Sequence, residues 1–439
     1  MNKIINYLKK ISKKDIVKVF SMTSISTLVK MLAGFISVKV ISVLIGPSGV
    51  ALVGQLNNFS TILLTLSTGG IVSGITKYIS EYKENEKSVK SYIGTAIWIT
   101  LILSLLCSFF LIISSKILST KILLDEKFFY VFIIFGITIF FYSINSVLLA
   151  IINGFKQFNY YVLISIISSV FGLVLSLFLV FSFGVAGALI NAVTSQSLFF
   201  FVTVLFCWKK KIKFFNRENI FSKINKNTAL QYSKYSIMTI ISSFGVPVGQ
   251  LILRSFLMKK FGIENAGCWE GMNRLSGMYL MVITTSFSVY YMPRLSELSA
   301  AREIKKEIIQ AYKLLVPCMI IGFCLIYLFK DIIIRILFAT EFLQMNKLFK
   351  WQLLGDFFKI SSWLIAFLMQ AKAMVKTFCF TEIFFSIIYV LFGYLFTTYL
   401  NLGIEGVVFG YFIMYVLYFI VMYLFVWKKI DYLQEEKKL

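Results

Sequence analysis

The chain has no histidine, only four prolines, and charged residues at only 15% of its 439 positions. Without imidazole there is no histidine metal site, no Ser-His or Cys-His nucleophile pair and no histidine proton relay. The phosphate-cradling pattern GxxxxGK[ST] is missing too, which removes ATP binding as an energy source. The six cysteines, Cys107, Cys207, Cys268, Cys318, Cys324 and Cys379, fall in or beside apolar runs with no paired loop spacing. They read as small buried hydrophobes rather than as disulfides or metal ligands. No metal, cofactor or catalytic residue is expected. A water-soluble globule is excluded, because such domains carry about 25% charged residues.

What the chain does have is apolar surface: 59% hydrophobic residues, 46 Phe, 23 Tyr and a mean hydropathy of +0.84. Apolar runs of helix-spanning length recur from end to end, each near the ~20 residues that cross ~30 Å of hydrocarbon. Thinly spread Gly and Pro favour long helices over barrel strands. The runs predict an all-α polytopic membrane protein of twelve transmembrane helices in two six-helix bundles. Among the expected spans are about 19–45, 51–76, 236–261, 266–292 and 312–329, with 330–347 as the longest outer loop. The bundles are expected at 1–207 and 236–439, joined by a basic cytoplasmic linker, 208–235. The basic N-terminus, MNKIINYLKKISKKDIVKV, precedes an apolar run too long for a removed signal peptide.

The net charge of +24 comes from 44 Lys and Arg against 20 Asp and Glu. Most of these cations sit in alternate connections between spans, the positive-inside pattern, which places both termini in the cytoplasm. No basic domain stands free of the spans, so nucleic acid is not an expected partner. The linker reads as a solvated basic loop that also meets anionic membrane lipids.

The halves repeat. At an ungapped offset of 216, residues 46–81 meet 262–297 with Gly46/Gly262, Asn57/Asn273, Ser60/Ser276, Leu64/Leu280, Thr68/Thr284, Ser80/Ser296 and Glu81/Glu297 identical. An even number of spans separates the copies, so they share one orientation, as in transporters built from parallel repeats.

Polar residues inside the spans carry further information, because an isolated cation at a helix centre costs about 2.5–3.5 kcal/mol on insertion scales. Thr23, Ser26, Lys30, Gly34 and Ser37 form one stripe along the first span, and Ser236, Thr239, Ser243, Pro247, Gln250 and Arg254 form another along the seventh. Gly54, Asn58, Thr61, Thr65 and Thr68 mark the second span; Glu270, Arg274, Gly277, Met281, Thr284 and Ser288 mark the eighth. Close packing of small and hydroxyl residues explains many of these positions equally well. It does not explain Lys30 and Arg254, which have no carboxylate three or four residues away. Lys39 either snorkels to the interface or lines a cavity mouth. Glu270 with Arg274, and Asp356 with Lys359, have the spacing of intrahelical pairs. The unpaired surplus is then Lys30, Lys39 and Arg254, against Glu382 as the single in-span acid without a partner. A cavity lined this way concentrates anions. Glu382, on a face with Ser386, Tyr389 and Gly393, is a candidate for a coupling proton or cation.

The stretch STLVKMLAGFISVKVISVLIGPSGVALVGQLNNF, followed by STGGIVSGITKYISEY, resembles the first two helices of the O-antigen and enterobacterial common antigen flippases. These are twelve-helix members of the multidrug/oligosaccharidyl-lipid/polysaccharide exporter (MOP) superfamily, with MATE-like parallel repeats. The resemblance is densest over 26–82, where Lys30 and Lys39 match the family's lysines, Gly46, Pro47 and Gly49 its outer turn, and Thr76, Lys77 and Tyr78 its cytoplasmic helix end. It implies a flippase, not an enzyme, that turns an undecaprenyl-pyrophosphate-linked oligosaccharide from the cytoplasmic to the periplasmic leaflet of the bacterial inner membrane, for polysaccharide and lipopolysaccharide synthesis. A polysaccharide polymerase and a chain-length regulator are implied partners. On this view Lys30 and Lys39 meet the pyrophosphate in a central cavity; Arg254 and Arg274, which the resemblance does not place, join them on the physical argument alone, and Asn58 and Gln250 hydrogen-bond phosphate or sugar. The alternative is a drug/cation antiporter of the same superfamily, which needs acids lining its cavity. A polymerase or ligase acting on the same lipid-linked sugars needs a large outer loop.

Overall fold

A computed structural model describes residues 2–209, 224–287, 291–298, 300–372 and 374–427, with side chains from residue 25 onward. Residues 210–223 of the basic linker, and the side chains of Thr23 and Ser288 in the polar stripes, lie outside the described residues. Among the described residues all regular structure is helical. The main helices are α1 (Asn2–Ser67), α2 (Val72–Tyr82), α3 (Glu86–Ile113), α4 (Phe129–Gly154), α5 (Phe158–Lys209), α6 (Lys226–Phe261), α7 (Ile263–Ser286), α8 (Ala301–Leu328), α9 (Lys330–Leu337), α10 (Phe349–Ala371), α11 (Val375–Thr398) and α12 (Glu405–Val421).

Nine helices among the described residues are long and apolar enough to cross a membrane. Two of them exceed one crossing. The described apolar part of α1, Ile25–Ser67, has 43 residues, which at 1.5 Å per residue reach about 65 Å, roughly twice the ~30 Å hydrocarbon core. The break falls at Gly46, with φ 61° and ψ −174°, followed directly by Pro47. No atom lies within 4 Å of a Cβ built there, so glycine is required by the left-handed φ and not by space. Proline in the first helical position afterwards needs no backbone donor. The repeat-equivalent residue, Gly262, also has positive φ, 89°, at the start of α7. Gly184, φ 54°, breaks the 52-residue α5 in the same way.

The chain forms two compact units, Met1–Ser37 with Ser60–Ile240, and Val38–Phe59 with Ile241–Leu439. In the first, α4 packs on α3, α5 and α2. Its core holds Ile75, Ile79, Ile93, Ala96, Val147 and Tyr232. Tyr78 and Tyr92 stack at 5.0 Å, and the Tyr232 hydroxyl donates to the Tyr92 carbonyl at 3.1 Å. Thr76 Oγ1 donates to the Ala150 carbonyl at 3.3 Å, and Lys77 lies 4.7 Å from the Tyr78 ring. The TKY segment therefore serves as an anchor for α2. In the second unit α10 and α11 pack on α12.

Three boundaries differ from the hydropathy pattern. The second expected span ends at Ser67, and the chain turns through Gly69 and Gly70, φ 63° and 65°, before α2. The helix expected at 312 starts at Ala301, because Ala301, Ile304 and Ile308 bury one face of an otherwise charged stretch. The segment 330–347 is helical for the same reason, burying Ile334, Phe342 and Met345. Charged amphipathic turns hide from a hydropathy window but still pack.

The hydroxyl stripes mostly satisfy themselves. Thr65 donates to the Thr61 carbonyl, Thr68 to Leu64 and Thr65, and Thr284 to Leu280 and Met281. These are bonds to their own helices. Ser37 and Ser176 meet at 3.3 Å. All six cysteines are free; Cys207 and Cys268 are buried as expected, whereas Cys318 and Cys324 are exposed on α8.

Candidate functional site

Arg254, on α6, is 0% exposed. It is not the unpaired cation that its own helix implies. Its Nη2 donates to Glu270 Oε2 and its Nη1 to Gln55 Oε1 at 3.3 Å, and its guanidinium lies 5.4 Å from the Trp269 ring. The carboxylate comes from α7, sixteen residues on, which is why spacing along one helix could not find it. Glu270 also accepts from Arg274 Nε at 3.0 Å, one turn away as the sequence predicts. One carboxylate thus answers two guanidiniums, and the cluster keeps a net charge of +1. Burying such charges costs several kcal/mol per ion unless pairing is good; here Gln55 adds an acceptor for Nη1, while Arg254 Nε is buried without a partner. Gln55 also donates to Ser255 Oγ at 2.6 Å and to the Leu251 carbonyl at 3.3 Å. Nothing in the sequence pattern singled out Gln55.

Gly54 explains how the helices come this close. A methyl group on Gly54 would overlap the Glu270 carboxyl group. Gly54 and Glu270 are themselves equivalent under the 216-residue repeat. From the turns at Gly46 and Gly262 the two segments run the same way, touching at Pro47 and Gly267, then at Gly54 and Glu270. One turn further stand Asn58 and Arg274, again repeat-equivalent. Asn58 Nδ2 and Arg274 Nη2 are both buried donors without a hydrogen-bond partner. Buried donors of this kind cost about 1–3 kcal/mol each until an acceptor arrives.

The lysines differ. Lys39 Nζ donates to the carbonyls of Arg335, at 2.8 Å, and Phe338, at 2.6 Å. It caps the C-terminal end of α9, where orphan carbonyls and the helix dipole favour a cation. Lys30, in the first unit, is exposed and has no ion-pair partner among the described residues.

The second unit contains a cavity of about 320 Å³. Its aromatic walls include Trp363, Phe385, Tyr389, Tyr411, Tyr415 and Tyr418. Gln250, Asn273, Gln352, Lys359 and Glu382 supply polar groups, and Asn273 Nδ2 is buried without a partner. Beneath it Asp356, 0% exposed, accepts from Ser276 Oγ at 2.6 Å, Gln352 Nε2 at 3.2 Å, Tyr411 at 2.6 Å and the Tyr279 hydroxyl. Asp356 and Lys359 do not pair directly: Lys359 Nζ donates to the Tyr411 hydroxyl at 3.1 Å, which passes the bond on to Asp356. Lys359 also lies over the rings of Trp363, Tyr411 and Tyr415 at 5.2, 5.4 and 5.2 Å. Glu382, Ser386 and Tyr389 line the same space, as their shared helix face predicts. No group of metal-ligating side chains occurs among the described residues.

This arrangement of helices is a known fold. The structure superposes on an inward-facing MATE multidrug transporter of the MOP superfamily with a TM-score of 0.73 at 16% identity, covering 95% of this chain and 99% of that one. A MOP transporter from Pyrococcus furiosus, described as having a binding pocket of reverse polarity and a different function, gives 0.68 at 15% identity, covering 95% and 97%. Residues 16–299 match the polysaccharide biosynthesis protein family, to which this chain belongs. It is 28% identical to the Lipid III flippases of Escherichia coli K12 and Shigella flexneri over 362 residues, which is 82% of this chain and 86% of each relative. The resemblance carried by residues 26–82, to lipid-linked oligosaccharide flippases, is borne out at the level of family.

Proposed function

We propose that this chain is a flippase that carries an undecaprenyl-pyrophosphate-linked oligosaccharide repeat unit from the cytoplasmic to the periplasmic leaflet of the bacterial inner membrane by alternating access. Counting each glycine-broken helix as two crossings, and adding α7 to the nine candidate spans, gives twelve, an even number that keeps both termini on one side, the cytoplasmic one by the positive-inside pattern. The division at the basic linker then follows the 216-residue repeat. The observation that carries the proposal is Arg274 Nη2, a buried donor without an acceptor in an Arg254–Glu270–Arg274 cluster of net charge +1, together with a second such donor, Asn58 Nδ2. A diphosphate offers what both donors lack, and charge-assisted bonds to it are worth about 1.5–3 kcal/mol each. In this scheme Arg254 fixes Glu270 and sets the field, Arg274 touches the phosphate, and Lys30 is a further substrate-binding residue. With no ATP site, transport draws on an ion gradient, on downstream consumption of the product by a polymerase and chain-length regulator, or on the membrane potential, worth about 2.3 kcal/mol per charge per 100 mV.

The test is headgroup translocation of a labelled undecaprenyl-pyrophosphate oligosaccharide in proteoliposomes, alongside binding of inorganic pyrophosphate. Arg274→Ala is expected to weaken pyrophosphate binding about 10- to 100-fold, from the loss of roughly 1.5–3 kcal/mol. Arg274→Lys is expected to recover only part, because the bidentate fork is gone. Full transport by a well-folded Lys30→Ala/Arg274→Ala protein refutes the proposal.

A further inference from the structure

Resting on that function, the aromatic cavity of the second unit deepens it, and we infer that this cavity is a subsite for one neutral sugar residue of the glycan. Its size fits: at about 30 Å³ per water-sized group, 320 Å³ holds on the order of ten such groups, close to one pyranose ring with its substituents. Its walls fit as well. A pyranose presents C–H groups on its faces, which pack on electron-rich aromatic faces, and hydroxyls around its rim, each both donor and acceptor. Tyr389, Tyr415, Tyr418 and Phe385 offer the rings, while Gln250, Asn273, Lys359 and Glu382 offer partners of both kinds. Asn273 Nδ2 already lacks an acceptor.

Charge excludes the other parts of a lipid-linked substrate. Among the charged residues that line it, one acid, Glu382, stands against one base, Lys359, so the cavity offers a pyrophosphate no surplus cation. A polyprenyl tail would leave Lys359, Glu382 and the amides desolvated without partners. An organic cation finds Lys359 already over three of the rings. A neutral polyhydroxyl group meets none of these penalties.

Gly277 supplies the test. It lines the cavity, and a Cβ built on it meets no atom within 4 Å, so a larger side chain fills the space without displacing a neighbour. The probes are methyl glycosides of glucose, galactose, mannose, N-acetylglucosamine and rhamnose, read by saturation-transfer difference NMR on the full chain in lipid nanodiscs, with inorganic pyrophosphate binding measured on the same samples. At least one glycoside is expected to bind wild type. Gly277→Leu and Gln250→Ala are each expected to reduce its signal at least threefold while pyrophosphate still binds, and Arg274→Ala is expected to show the opposite pattern. Absence of binding by the whole panel, or undiminished binding to both cavity variants, overturns the sugar subsite. Loss of pyrophosphate binding alone counts against the anion site and leaves the sugar subsite standing.

Discussion

Replacing Glu270 by Gln removes one negative charge and almost no volume. Arg254 is 0% exposed and cannot reach water, and Arg274 is largely covered. Both would remain as cations around a neutral amide. Breaking a buried ion pair from one side costs about 3–5 kcal/mol. The two guanidiniums, no longer bridged by a carboxylate, also repel each other. These contributions overlap, because relaxation that relieves one relieves the other, so a loss of about 5 kcal/mol is the working figure. Against total stabilities of about 5–15 kcal/mol, that is severe. The assay is membrane yield together with the thermal unfolding midpoint of the full chain in nanodiscs, followed by tryptophan fluorescence. Glu270→Gln is expected to lower both sharply. Arg254→Met/Glu270→Met/Arg274→Met, which removes the whole ionic cluster together, is expected to recover more than half of the lost midpoint, since an apolar replacement of buried ionic groups is often neutral. A Glu270→Gln protein with wild-type yield and a midpoint within about one degree would show that the two arginines are not balanced by this carboxylate.

Lys39→Met should leave the carbonyls at the end of α9 uncapped, a loss of about 0.3–1 kcal/mol, seen as faster amide exchange in 330–338 with little change elsewhere, whereas Lys39→Arg should hold exchange near wild type. Tyr411→Phe removes the hydroxyl that joins Asp356 to Lys359, and at about 1–3 kcal/mol for buried groups left unsatisfied it should lower the unfolding midpoint measurably.

The two halves of the sequence already contained much of this. The offset of 216 residues placed Gly46 beside Gly262, and both take positive φ because only glycine enters that region without strain. It also paired Gly54 with Glu270, although nothing in the pattern said that this pair adjoins. The Glu270–Arg274 pair was legible because i and i+4 share a helix face. Arg254 was legible only as a cation needing a partner. Its partner lies on another helix, and periodicity describes one helix at a time. Lys39 was opaque for the same reason, since the carbonyls it caps are almost three hundred residues away. The amphipathic turns at 301–311 and 330–348 escaped because their charges dilute a hydropathy window while their apolar face still packs.

Composition by itself determined that this chain is helical and membrane-spanning, because so much apolar surface with so few charges has no other stable home, and backbone groups in hydrocarbon must bond within their own segment. It also determined that any buried cation needs a reason. Which reason applies to each was settled only by the tertiary structure: Arg254 by a carboxylate from the next helix, Lys39 by the end of a short one, Lys359 by three rings and a shared hydroxyl. Charge compensation depends on distances between atoms that the chain brings together from afar, and those distances are set by packing.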